Sequence, residues 1–259
     1  MIESLGQNLK TGGAMAGFLM GVSERSVLFI DEIHGLKLEP QMQLYRALAE
    51  GKVFLSGPSF GCAPALLQLP PFTLLAATTE EFRLTKPLRD RFEMILRFDF
   101  YGKEEIVRIL QQHARVRNWI IEDGVLEQVA ARSKGIPRHA LRLLGTCHRV
   151  ARSIDCTTIN IQHLTDACVL EQIDAFGLDS QEQAYLRILA SASSPVAPTI
   201  LTARLELPLG TLRDVVESFL LRAGLIERMN RGGVLTEKGR AYVGINKSVG
   251  ASPSSSASD

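Results

Sequence analysis

Three short stretches of this chain carry residue types that could handle a phosphate or a water. The first is Val27-Leu28-Phe29-Ile30-Asp31-Glu32, four apolar strand formers ending in two carboxylates. A strand emerging at that point presents both acids at its carboxyl end. There one can hold Mg²⁺ through water and the next can polarise an attacking water. The second is Phe72 to Ala77, another apolar run, which ends at Thr78. Ligands gather outside the carboxyl ends of parallel strands, and a hydroxyl there can orient water or meet a phosphate. The third is Pro87-Leu88-Arg89-Asp90-Arg91-Phe92. Two arginines around an acid between apolar residues are costly to desolvate without partners, so one is expected to pair with Asp90 and the other to face an anion. Each stretch has a plainer explanation: solvated loop acids, a turn cap and a surface ion pair worth little.

These residues need elements to hold them. Ser26–Ile30 and Phe72–Ala77 read as strands buried on both faces, and Met94–Phe100 as a third strand. Pro40–Glu50 has helical spacing with Gly51 as its stop. Residues 52–67 read as a β-hairpin around a turn rich in Gly and Pro. From Lys103 the period becomes helical. Four short helices follow, the third from Pro137 to Arg152 and the fourth from Asn160 to Glu171, with Asn160 as N-cap. Helices near 181–191, 197–204 and 209–222 precede a hairpin at 225–235, the order of a winged helix. The tail 246–259 is Ser-rich and reads as disordered.

Composition narrows the classes of function. The 259 residues carry 29 Lys+Arg against 28 Asp+Glu, so any nucleic-acid contact must come from local basic patches. No apolar run approaches the ~20 residues of a membrane span. The first twenty residues have no secretory pattern, which leads us to expect a cytoplasmic protein. Cys62, Cys147, Cys156 and Cys168 show no paired spacing; three of them sit in apolar settings, and all read as reduced thiols.

Taken together, Val27–His34, Leu69–Thr79, Leu84–Phe92 and Gly135-Ile136-Pro137-Arg138 resemble, in order and spacing, the RuvB family of AAA+ motors for Holliday junction branch migration. The resemblance runs from about Leu5 to about Gly244. It implies an α/β AAA+ core with an incomplete parallel sheet over 1–102, a helical lid over 103–177 and a winged-helix DNA-binding domain over 178–245. It implies that Asp31 serves the Mg²⁺ site, that Glu32 is the catalytic glutamate and that Thr78 is the sensor 1 residue. By the same resemblance Arg91, with Arg89 second, is the arginine finger acting on a neighbouring subunit, while Tyr101 and Arg138 contact ATP. The family acts as a homo-hexamer on four-way junction and duplex DNA together with a RuvA-like partner. Its partner-gripping hairpin corresponds to 53–67, where Ala63, Ala65 and Leu66 would supply apolar contact.

On the wing, Arg228 and Arg231 are the expected phosphate contacts. The family has a further basic residue where this chain has Gly233, a loss for which Lys238 and Arg240 are expected to compensate. Residues 132–152 hold six basic residues and no acid, which reads first as a solvated helix face.

One departure from the family bears on activity. G-x-x-x-x-G-K-[ST], whose amides and lysine cradle the phosphates, occurs nowhere in this sequence; Gly12-Gly13-Ala14-Met15-Ala16-Gly17 lacks the Lys and the Ser/Thr. The family carries that loop, and a strand central to its sheet, ahead of the first matched motif. The expectation is a fragment or a misassigned start, unable to hydrolyse ATP at a useful rate. Two other functions fit parts of the pattern: a winged-helix DNA-binding adaptor indifferent to ATP, and a clamp-loader-type AAA+ subunit, against which the hairpin at 225–235 argues.

Overall fold

The computed structural model describes residues 1–55 and 65–249. It divides into two compact units, Met1–Arg97 and Phe98 onward.

The first unit is built on a parallel sheet. Strand β1 (Ile2–Leu5) is followed by helix α1 (Gly12–Met20), which Thr11 caps by accepting the Ala14 N–H at 3.2 Å. Strand β2 (Ser26–Asp31) is central, with Leu28 and Ile30 fully buried. Helix α2 (Leu38–Glu50) stops where Gly51 turns left-handed, and the hairpin arms β3 (Lys52–Leu55) and β4 (Ala65–Gln68) pair antiparallel. Strand β5 (Phe72–Ala76) and the single turn α3 (Lys86–Arg89) complete the unit. The sheet order is β1-β2-β5, with Leu5 opposite Asp31 and Ile30 opposite Ala76. Met15, Leu19, Leu28, Ile30, Leu44 and Leu88 form the core beneath it. Burying each such side chain is worth about 1.5–3 kcal/mol.

The expected strand at Met94–Phe100 does not form. A strand needs a ladder partner, and among the described residues none lies beside this segment; Met94, Ile95 and Leu96 are exposed. Among the described residues no strand pairs with the outer edge of β5 either, and Leu75 is half exposed.

The second unit holds two further cores. Helices α4 (Lys103–Val116), α5 (Val125–Arg132), α6 (Pro137–Ser153) and α7 (Ile161–Glu171) enclose Ile106, Leu110, Val129, Leu144 and Leu164. Two-residue strands β6 (Ile120–Ile121) and β7 (Thr158–Ile159) clip the bundle. Asn160 caps α7 by accepting the His163 N–H at 3.0 Å.

Next come α8 (Ser180–Ala190) and α9 (Pro198–Leu205). The third long helix is interrupted: α10 (Leu209–Thr211) passes through a π-turn at Leu212–Val216 into α11 (Glu217–Arg222). The hairpin β8 (Ile226–Met229) and β9 (Gly232–Leu235) follows, then α12 (Glu237–Val249). Tyr185, Leu186, Leu201, Leu212 and Leu220 form the core of this part. No helix of the described residues is long and apolar enough to cross a membrane.

Candidate functional site

In the first unit β2 and β5 deliver Asp31, Glu32 and Thr78 to the same end of the sheet. The Ile33 N–H donates to the Ala77 carbonyl at 3.0 Å, and the Ala77 N–H donates to the Ile30 carbonyl at 3.0 Å, so the strand ends stay laced where the acids emerge. Glu32 is left-handed (φ 49°), and its N–H donates to Asp31 Oδ1 at 2.9 Å. That kink turns two consecutive side chains out of the strand's alternation. A close approach holds it: a Cβ on Gly6 would lie 2.3 Å from the Glu32 carbonyl oxygen, so only glycine fits the turn beneath.

His34 ties the site together. Its Nδ1 lies 3.1 Å from Glu32 Oε2 and 3.0 Å from Thr78 Oγ1. On the other side of the ring, Nε2 lies 3.9 Å from Glu80 Oε2. Thr78 Oγ1 also accepts the Glu80 N–H at 3.0 Å, and Glu80 Oε2 lies 2.7 Å from Arg83 Nε. Sequence reasoning assigned no role to His34 or Glu80. The signal was present, since His34 ends the same run as Glu32, but only tertiary structure puts it against Thr78, 44 positions on.

The arginines behave differently from expectation. Neither Arg89 nor Arg91 forms an ion pair with Asp90 among the described residues. Arg91 is exposed and stacks 5.2 Å above the Tyr45 ring, donating to its hydroxyl at 3.4 Å. Among the described residues no acid pairs with Arg91, and its guanidinium rests on an aromatic shelf.

In the second unit the Tyr101 N–H donates to the Gly135 carbonyl at 3.0 Å, and Arg138 is exposed in the first turn of α6. Of the expected partner-gripping residues, Ala65 and Leu66 are exposed on β4, and Ala63 lies outside the described residues, as does the 246–259 tail from residue 250 onward.

The fit to a nucleotide is incomplete. The strand ends supply a carboxylate suited to hydrated Mg²⁺, a second carboxylate and a hydroxyl. No group of three or more His, Cys, Asp or Glu among the described residues could hold a metal ion directly. The stretch Gly12–Met20 is an apolar-faced helix rather than a phosphate loop, with Met15, Ala16 and Leu19 buried. The residues of this sequence do not by themselves hold a triphosphate.

On the wing, Arg231 is exposed at the β8–β9 turn. Arg228 is tied inward: its Nε donates to Glu217 Oε2 at 2.8 Å, and Tyr185 donates to the other oxygen at 2.9 Å. Glu217 is 3% exposed. The Tyr185 hydroxyl is pushed far up by burial and by the Glu217 charge, so it stays a donor. Gly233 faces the interior, where a Cβ would lie 2.8 Å from the Tyr185 hydroxyl. A basic side chain at 233 would therefore not reach solvent in this register. The proposed compensation is also limited, because Lys238 Nζ donates to the Ala223 carbonyl at 2.7 Å and Arg240 donates to the Leu235 carbonyl at 3.3 Å.

Known proteins share this sequence pattern and fold. Residues 2–98 match the Holliday junction DNA helicase RuvB P-loop domain, and residues 175–244 match the RuvB C-terminal winged helix domain. The Holliday junction branch migration complex subunit RuvB of Ehrlichia ruminantium is 34% identical over 245 residues, covering 93% of this chain and 73% of that protein. Its counterpart from Rubrobacter xylanophilus is 35% identical over 245 residues, covering 93% and 68%. The solved Thermotoga maritima RuvB branch migration motor superposes with a TM-score of 0.76 at 33% identity, covering 94% of this chain and 78% of that one. The chain belongs to the RuvB family.

Proposed function

We propose that this chain works in DNA recombination and repair as a RuvB-type subunit on four-way junction DNA, in the cytoplasm. The observation that carries the reading is that its P-loop-domain and winged-helix matches both lie in one chain, with Asp31, Glu32 and Thr78 gathered at the sheet's carboxyl end. On this reading 1–102 is the partial ATPase domain, 103–177 the lid and 178–245 the DNA-binding domain, in a hexamer that meets a RuvA-like partner through Leu66 on β4.

Each residue has a role in that scheme. Asp31 is suited to hydrated Mg²⁺ and Glu32 to polarising water, with His34 holding Glu32 against Thr78. Arg91, with Arg89 behind it, would reach a neighbouring subunit, and Tyr101 and Arg138 would report nucleotide to the lid. Because no phosphate cradle exists in the sequence, we assign the 259-residue chain DNA binding without ATP turnover. On the wing Arg231 meets phosphate, while Arg228 mainly braces the hairpin through Glu217.

The test is a band shift with labelled four-way junction and duplex DNA. Arg231→Glu should weaken binding without changing the melting temperature. Binding that is unaltered by Arg231→Glu, or absent at low salt in the parent, would contradict the wing's assigned role.

A further inference from the structure

The C-terminal ends of α4 and α6 converge on Trp119, the single tryptophan of the sequence. Trp119 stacks on His148 with centroids 4.2 Å apart and planes 12° off parallel. His113 meets it edge-on at 5.5 Å, and the Arg117 guanidinium lies 5.6 Å from its centroid. Burial and then the charges of Arg152, Arg117 and Arg149 lower the His148 pKa, and no carboxylate contributes. Burial and Arg117 lower that of His113.

The sequence explains the missing acids: residues 106–121 and 128–154 contain neither Asp nor Glu, and the acids that bound them are Glu105, Glu122, Glu127 and Asp155. None of Arg115, Arg117, Arg149 and Arg152 enters an ion pair among the described residues; Arg149 donates to Thr146 Oγ1 at 2.7 Å. A cation near each helix C-terminus offsets the carbonyl dipoles. Dipoles alone do not call for three exposed arginines whose charges all act on one stacked imidazole.

We infer that this end of the helical bundle is a second DNA contact, in which Arg117, Arg149 and Arg152 take phosphates of a duplex backbone over the Trp119–His148 stack. It rests on the reading of the chain as one that binds DNA. Phosphate rather than base is the ligand because the Trp119 ring is already stacked on His148 and carries Arg117. The contact is therefore indifferent to sequence and sensitive to salt.

Trp119 gives a local readout. Labelled duplex DNA is titrated into the full chain while anisotropy and tryptophan emission are recorded together. Emission should change along the same isotherm as anisotropy. Arg117→Gln/Arg152→Gln should remove the emission change and lower the slope of log affinity against log salt by about two. Arg108→Gln, on the same helix α4 but not among the charges acting on His148, should leave both signals intact.

Saturating anisotropy with unchanged Trp119 emission, or a double variant with the parent's salt slope, overturns the inference while leaving the wing's role standing. An emission change that follows protein concentration and not DNA would mean that a second protein molecule covers this face, and also overturns it. No anisotropy change at all would instead remove the DNA-binding reading itself.

Discussion

Arg228 and Arg231 are three positions apart on one hairpin, and chemistry separates them. Arg228 neutralises Glu217, a carboxylate 3% exposed that also accepts from Tyr185. Arg228→Ala would leave that carboxylate with one donor, and the expected loss is about 1–3 kcal/mol, moderated because Arg228 is itself half exposed. Thermal unfolding should show a lowered melting temperature for Arg228→Ala and none for Arg231→Ala. Equal melting temperatures would refute the bracing role. Cys147 offers a second check. Burial pushes its thiol up to about 12 from an ordinary 9.0, so it should resist alkylation at pH 8 until denaturant is added. The sign follows from linkage. A thiol raised in the fold adds stability in full below pH 9, and that contribution drains away as pH climbs towards 12.

Among the elements, the turn before α6 is fastened by its neighbours. Lys134 is ion-paired with Glu182, which is 2% exposed and also accepts the Asp179 N–H at the start of α8 at 2.9 Å. Arg222 of α11 donates to the Lys134 carbonyl at 2.8 Å. Burial pushes the Glu182 carboxyl up, and the Lys134 hydrogen bond and charge pull it back down. Lys134→Met removes the second influence. At neutral pH it should cost about 3–5 kcal/mol, the penalty of a stranded buried charge. A carboxyl raised in the fold gives its stability at pH below its ordinary 4.5 and loses it as pH rises through the folded value. The variant's melting temperature should therefore recover relative to the parent as pH is lowered from 7 towards 5. A deficit independent of pH would refute the buried-charge account.

Regular elements were legible where periodicity was strong and local. The central strand at 26–31, the hairpin arms and the helices from Lys103 to Glu171 announce themselves by apolar spacing and caps such as Asn160. Strand β1 and helix α1 were not, because Ile2–Leu5 is short and Gly12–Met20 is glycine-broken with apolar residues all round. The apolar alternation at Met94–Phe100 misled for a physical reason: periodicity reports what a segment could bury, and pairing depends on what lies beside it. The same holds at the site. Asp31, Glu32 and Thr78 were readable as strand ends, whereas the His34 bridge and the inward-facing Gly233 depend on contacts between residues distant in sequence.

At the scale of the whole molecule, the 259 residues combine a P-loop-domain match without the run G-x-x-x-x-G-K-[ST] and a winged-helix match.

We propose that the 259 residues of this RuvB-family chain engage junction DNA without turning over ATP. The most direct measurement is ATP hydrolysis by the purified 259-residue chain during titration with fluorescent four-way junction DNA. Salt-sensitive binding with phosphate release at the level of a protein-free blank is the predicted result. Hydrolysis that rises with junction occupancy would contradict it.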